Sequence, residues 1–200
     1  PNAAYYCGDC TIDDGSCVYS PDQFEFNQST YQAFYFIAEA RIDGTDLVEG
    51  EDWIGAFKGD ICVGAREWRG EFTDIPAMGD DGYDLTSGYM LNGDLATFKI
   101  FDASENLYYP AETDLSQGWV EFEYINIDSI NVNPDCNGTL AGEAFLDSCQ
   151  ICSEGDTGLV ANADNLGCGC FEAAALSYWL DSDSDGLGSG DSIEYCLSEL

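Results

Sequence analysis

Ile54-Gly55-Ala56-Phe57-Lys58-Gly59-Asp60-Ile61-Cys62-Val63-Gly64-Ala65 contains two apolar runs joined by a short polar turn. The apolar positions are aromatic, β-branched or small, as in buried strands. Lys58-Gly59-Asp60 has the length and composition of a hairpin connection. This stretch therefore predicts two antiparallel strands in contact with each other.

The same pattern continues on both sides of this hairpin. Ser104-Glu105-Asn106 predicts a second hairpin, and Gly79-Asp80-Asp81-Gly82 predicts the end of a loop. Strands are predicted at residues 23–26, 31–42, 52–57, 61–68, 95–102, 107–111 and 119–132. Short strands at this spacing predict an all-β fold, an antiparallel β-sandwich of the Ig-like or jelly-roll-like kind.

Cysteine spacing divides the chain into three regions. A cysteine-rich segment at 1–20 precedes the β-sandwich domain at 21–133, and a cysteine-rich, calcium-binding region follows at 134–200. The last region is loop-rich and poor in apolar residues, so cross-links and metal must supply its stability. Within it, residues 171–180 fit either a helix or a short extended segment.

Ten cysteines in an acidic, lysine-poor chain predict disulfides made in an oxidising, extracellular compartment. They are Cys7, Cys10, Cys17, Cys62, Cys136, Cys149, Cys152, Cys168, Cys170 and Cys196. The first region contains three cysteines and the middle region contains one, so neither region can pair all of its cysteines internally. A bridge from Cys62 to one of the first three is the simplest expectation, with an intermolecular bridge as the alternative.

The charge of the chain restricts its partners. Against 39 Asp and Glu there are 5 Lys and Arg, a net charge of −34, while 14% aromatic residues indicate a folded chain. Such a charge excludes nucleic acid and anionic membranes and favours divalent cations. An acidic surface that requires molar salt and has no partner is the alternative. Without a leader or an apolar run long enough for a membrane span, we expect a mature secreted product.

The stretch Asp181-Ser182-Asp183-Ser184-Asp185-Gly186-Leu187-Gly188-Ser189-Gly190-Asp191 predicts a calcium-binding loop. The expected ligands are carboxylates of Asp181, Asp183, Asp185 and Asp191 together with the backbone carbonyl of Leu187. Hard oxygen ligands favour calcium over softer metals. A solvated linker is the alternative, and the loop departs from an EF-hand because Ser192 follows where a Glu is required.

Other candidate sites carry weaker signals. Cys149-x-x-Cys152 with Cys168-Gly169-Cys170 resembles a zinc ribbon, but export and the tight final spacing favour disulfides. The acidic clusters 13–15, 43–46 and 80–84 fit solvated turns better than metal sites. Two sequons allow glycosylation, at Asn27 and Asn137.

The chain has no histidine, which excludes His-dependent nucleophilic triads and His-ligated metals. No phosphate-binding glycine loop is present either, so we expect no enzyme. Aromatic side chains are the other candidate working surface, either buried in the core or presented to sugar rings. These are Trp53, Trp68, Trp119, Tyr31, Tyr35, Tyr83, Tyr89, Tyr108 and Tyr109.

Several motifs resemble parts of modular secreted bacterial surface proteins. The motifs are Asp13-Asp14-Gly15-Ser16-Cys17, the cysteine-containing stretches 135–142 and 147–152, and the β-rich stretches 54–65 and 98–103. Residues 178–191 are similar to a thrombospondin type 3 calcium repeat. The resemblance implies a structural or adhesive role outside the cell.

We therefore expect a non-catalytic extracellular protein that forms the repeating subunit of a bacterial surface fibre or filament. Its partners would be further copies of the chain, joined head to tail through terminal segments or strand edges. The segment 23–36 is one candidate for completing a neighbour's sheet. The alternative is a secreted carbohydrate-binding module, with glycans as the partner.

Overall fold

A computed structural model describes residues 20–197. The chain divides into two compact units, with the boundary between Asn133 and Pro134, where the second and third predicted regions meet. The predicted cysteine-rich segment 1–20, with Cys7, Cys10 and Cys17, lies almost wholly outside the described residues.

The first unit is built from strands, which confirms the all-β prediction. They are β1 Gln32–Ile42, β2 Thr45–Asp46, β3 Trp53–Lys58, β4 Ile61–Glu67, β5 Thr73–Met78, β6 Thr97–Asp102, β7 Leu107–Thr113 and β8 Tyr124–Val132. They form one curled sheet in the order β2-β1-β8-β7-β6-β3-β4, and β5 also pairs with β1.

Both predicted hairpins are present. Lys58 pairs with Ile61 across a two-residue turn in which Gly59 has a φ of 58°. In the second hairpin Asp102 pairs with Leu107. The antiparallel prediction is wrong for one pair, because β1 and β8 run parallel from Phe34↔Tyr124 to Ile42↔Val132. Parallel neighbours need a long connection, which the 43–123 segment supplies.

The main core lies on the inner face of the curled sheet. Fully buried Tyr35 of β1 meets Phe98 of β6 edge to face, with ring centroids 5.3 Å apart. The sheet curls so tightly that β4 lies directly against β5. A Cβ at Gly64 would stand 1.6 Å from the carbonyl oxygen of Pro76, so only glycine fits there.

A second apolar cluster covers the opposite face of β3 and β4. It contains Phe24, Trp53, Phe57, Cys62 and Ala65. The predicted strand at 23–26 is wrong, because Asp22–Phe24 form a short 3-10 helix after Pro21. The Phe24 ring lies where a Cβ on Gly55 would be, 2.8 Å from its nearest carbon.

In the first unit, β2 and β5 were not predicted, and the last strand was predicted to start too early. The interior of β5 contains Pro76, which sequence rules exclude from a central strand. Proline is tolerated there because β5 pairs only with β1. The prediction of a strand from 119 is wrong because Trp119 is buried outside the sheet, its indole N–H donating to the Ala77 carbonyl at 3.0 Å. The strand itself begins at Tyr124.

The second unit has two small antiparallel ribbons. β9 Phe145–Leu146 pairs with β10 Cys152–Ser153, and β11 Leu176–Trp179 pairs with β12 Ser192–Tyr195. Residues 171–180 are therefore extended in part and contain no helix. No helix among residues 20–197 is long and apolar enough to cross a membrane.

Candidate functional site

Residues 181–191, which we call the acidic loop, connect β11 to β12 at the tip of a hairpin. One carboxylate oxygen from each of Asp181, Asp183 and Asp185 lies within 4.8 Å of the other two, and all three residues are exposed. Of the five predicted ligands, these three are brought together. Asp191 is not part of the group, and the backbone N–H of Leu187 donates to Asp185 at 2.7 Å.

Local hydrogen bonds fix the shape of this loop. The Asp181 carboxylate accepts the backbone N–H groups of Asp185 at 3.2 Å and Gly186 at 2.9 Å. Gly186 has a φ of 88°, which glycine adopts without strain. A Cβ on Gly188 would be 2.4 Å from that of Trp179, so the loop lies close against its own hairpin.

The donor set suits a hard divalent cation. Three convergent carboxylate oxygens supply part of the six to eight oxygens that calcium takes, and backbone carbonyls and water would supply the rest. Residues 134–200 contain no Lys or Arg, so no cationic side chain of this unit neutralises the three charges.

Three disulfides connect the second unit. Cys136–Cys152, Cys149–Cys170 and Cys168–Cys196 have Cα–Cα distances of 5.7, 5.3 and 5.4 Å. These pairs confirm the disulfide prediction for six cysteines. The zinc-ribbon alternative is wrong, because all four of its thiols are in disulfides. The third bridge encloses the acidic loop between its two ends.

Cys62 corrects one sequence prediction, since it is a free, buried cysteine and not a disulfide partner. Its side chain points into the cluster beneath Phe24, and the thiol donates to the Gly64 carbonyl at 3.5 Å. Desolvation raises the pKa of this thiol to about 11. The residue functions as a small apolar side chain.

Asp147 organises a cysteine loop in a way that the sequence reasoning missed. Its carboxylate accepts backbone N–H groups from Asn162, Cys149 and Ile151 at 2.7 to 3.1 Å, and the Ser153 hydroxyl at 3.1 Å. These bonds, led by that from Asn162, hold the pKa of Asp147 below its usual value.

Asp135 has the same role in the preceding loop. Burial opposes ionisation, but bonds from the N–H groups of Thr139, Ala144 and Asn137 outweigh it and lower the pKa. An Asp one or two residues before a cysteine, at 135–136 and 147–149, was the available signal. The two carboxylates are structural and turned inward, unlike those of the acidic loop.

The weaker acidic clusters are turns in the described part of the chain. Asp81 accepts the N–H and hydroxyl of Thr30 and the hydroxyl of Thr86, whose bond contributes most to lowering its pKa. Asp46 pairs with Arg41 at 2.8 Å. The cluster at 13–15 lies outside the described residues. Both sequon asparagines, Asn27 and Asn137, are exposed.

Comparison with known proteins gives no assignment for this chain. No family model, no curated protein and no solved structure matches it.

Proposed function

We propose that this protein is a non-catalytic extracellular structural or adhesive protein, the repeating subunit of a bacterial surface fibre or filament. The observation that carries the proposal is the construction of the second unit. The second unit is connected by three disulfides, and few of its apolar side chains are buried. Such a unit suits an oxidising environment outside the cell, where cross-links replace a core. In this proposal the curled sheet is an Ig-like or jelly-roll-like sandwich.

Calcium is the proposed cofactor, held by Asp181, Asp183 and Asp185 with the Leu187 carbonyl and Asp191 as further ligands. Binding would offset the repulsion among the carboxylates and tie β11 to β12. Extracellular calcium sites commonly have dissociation constants of about 10⁻⁴ to 10⁻³ M, so this one would be filled outside a cell.

Exposed apolar side chains on the terminal hairpin support head-to-tail association. Leu176 and Ile193 are 48% and 54% exposed on strands of only four residues, and they lie on one face of the hairpin because Ile193 pairs with Tyr178, two residues after Leu176. An isolated two-stranded ribbon is only marginally stable in water. A neighbouring subunit that covered these side chains would stabilise the hairpin, and a heterologous contact of this kind extends into a filament. Segment 23–36 is not a candidate for completing a neighbour's sheet, because its strand residues belong to β1, which already pairs with β2, β5 and β8.

The test is negative-stain electron microscopy and light scattering of the native protein at high concentration. We expect filaments at millimolar calcium and their loss in EDTA. An Asp183→Asn variant should raise the calcium concentration required, and an Asp43→Asn variant, changed at an exposed turn outside the loop, should not. A protein that stays monomeric at millimolar calcium would contradict the filament proposal.

Limited proteolysis tests calcium binding independently of filament formation. If calcium ties the hairpin, chelation should speed cleavage within residues 171–197 and leave the first unit intact. An unchanged cleavage rate would argue against calcium even if filaments form. Stability that responds equally to molar NaCl would instead favour the general acidic-surface alternative.

A further inference from the structure

Three aromatic side chains form a continuous patch on the outer face of the sheet, which we call the aromatic platform: Phe34, Phe36 and Tyr124. Phe34 and Tyr124 are cross-strand partners with ring centroids 6.0 Å apart and planes inclined by 19°. The ring centroids of Phe36 and Tyr124 are also 6.0 Å apart, with planes inclined by 43°. The Tyr124 side chain is 70% exposed.

The platform is not part of either apolar cluster of the first unit. Alternate residues of β1 and β8, such as Tyr35 and Ile125, are buried on the inner face. Most aromatics that the sequence offered for sugar binding, including Trp53, Trp68 and Trp119, are buried. The three residues of the platform are not among the aromatics selected from the sequence, of which Tyr31 and Tyr83 are also exposed.

Polar groups lie beside the rings. Asn126 is exposed one position further along the same face of β8, opposite Phe36. β7 reaches β8 only at Ile130 and Asn131, so no strand within residues 20–197 pairs with the Tyr124 end of β8 on that side. Amide and backbone groups next to flat apolar rings match the hydroxyl groups and C–H faces of sugars.

Charge selects the kind of ligand. Every cation of the chain already has a partner: Arg41 with Glu39 and Asp46, Lys58 with Asp94, Arg66 with Asp74, Arg69 with Glu67, and Lys99 with the Phe57 ring. Four of these five cations are paired with carboxylates, so within residues 20–197 little positive charge is left to meet a sulfate, uronate or phosphate. Exposed Glu123, the residue before Tyr124, would repel such groups.

We propose that the aromatic platform is a binding site for a neutral polysaccharide, whose sugar rings stack on Tyr124 and its neighbours. The neutral ligand meets the exposed rings without an electrostatic penalty on a chain of charge −34. A second copy of the chain is disfavoured as the occupant of this face, because it brings the same negative charge and the described residues of the platform form no carboxylate cluster that calcium could neutralise. The site does not require the filament or the calcium loop.

The test is affinity electrophoresis of the whole chain in gels containing dextran, laminarin or hydroxyethylcellulose, with alginate as the anionic comparison. We expect retardation by at least one neutral polymer and none by alginate. Tyr124→Ala should weaken binding about tenfold, the size of a lost ring contact, and Tyr124→Phe should retain most of it. Tyr83→Ala is the matched control, since Tyr83 is 71% exposed and outside the platform.

Four outcomes of the binding assays overturn the proposal. They are no retardation by any of the three neutral polymers, stronger binding to alginate, unchanged binding of Tyr124→Ala, and equal weakening by Tyr83→Ala. Sedimentation is run in parallel without glycan. If the chain dimerises and only Tyr124→Ala abolishes the dimer, the platform is a contact between copies and the glycan site is wrong.

Discussion

At the scale of single residues, the inward-facing carboxylates of the cysteine loops determine how the second unit responds to acid. The pKa values of Asp135 and Asp147 are lowered in the folded state. Their contribution to stability is therefore complete above an unfolded pKa of about 4 and is lost as pH falls through the lower folded value.

We predict that Asp147→Asn destabilises the second unit at pH 7 and flattens the loss of stability that occurs as pH falls below about 4. An amide cannot accept all the N–H bonds that the carboxylate accepts. Protease resistance of residues 134–197 across this pH range measures the effect. Asp156→Asn, at an exposed position, is the control, and an identical pH profile for both variants would contradict the assignment.

Cys62 gives a second prediction at this scale. Because burial raises the pKa of its thiol to about 11, the native protein should not be alkylated there by iodoacetamide at pH 8. In urea the same residue should react fully. Peptide mapping by mass spectrometry measures both states. Finding Cys62 bridged to Cys7, Cys10 or Cys17 would restore the pairing expected from the sequence.

At the scale of elements, the hairpin β11–β12 depends on the bridge below it. Cys168–Cys196 closes a loop with a sequence separation of 28. Chain-entropy arguments assign such a bridge roughly 3–4 kcal/mol.

The double variant Cys168→Ser/Cys196→Ser should therefore lose hydrogen-exchange protection in β11 and β12, while β1 to β8 keep theirs. Cys136→Ser/Cys152→Ser, which removes a bridge outside the hairpin, is the comparison. Equal loss of protection at the hairpin in both would show that the second unit opens as a whole.

The elements also show how far the sequence could predict the fold. The β3–β4 hairpin was predictable because its turn residues and its apolar runs agree. β5 was missed because Pro76 argues against a strand in the sequence. A proline is tolerated in β5 because this strand pairs on one side only, with β1. The platform was missed because Phe34 and Tyr124 are adjacent only through a parallel pairing, which local patterns cannot reveal.

The candidate metal site was predictable in part. The alternation of Asp181, Asp183 and Asp185 brings three carboxylates together over a short distance, which a local pattern can specify. Whether Asp191 lies near the other carboxylates depends on the path of the backbone from the loop to β12. The spacing of residues in the sequence does not specify that path.

At the scale of the whole molecule, charge is unevenly distributed. All 5 Lys and Arg lie in the first unit, and the charged side chains of the second unit are all acidic. Self-repulsion therefore opposes folding of the second unit most strongly at low salt.

We predict that a few millimolar CaCl₂ raises the thermal unfolding midpoint of the second unit more than NaCl of equal ionic strength. Screening acts equally for both salts, and only site binding distinguishes them. Calorimetry of the native protein and of Asp183→Asn separates the two contributions. If NaCl has the same effect as CaCl₂, the negative charge needs only screening and the loop is a solvated turn.

The parallel pairing of β1 with β8 also affects the order of folding. Phe34 pairs with Tyr124, ninety residues later, so β1 cannot complete its pairing until β8, the last strand of the first unit, is available. A chain that emerges N-terminus first, from a ribosome or through a secretion channel, cannot complete this sheet until nearly all of the first unit has emerged. High contact order of this kind slows folding. If the chain is exported through a narrow pore, its passage would precede closure of the sheet, and the chain would stay unfolded until its release.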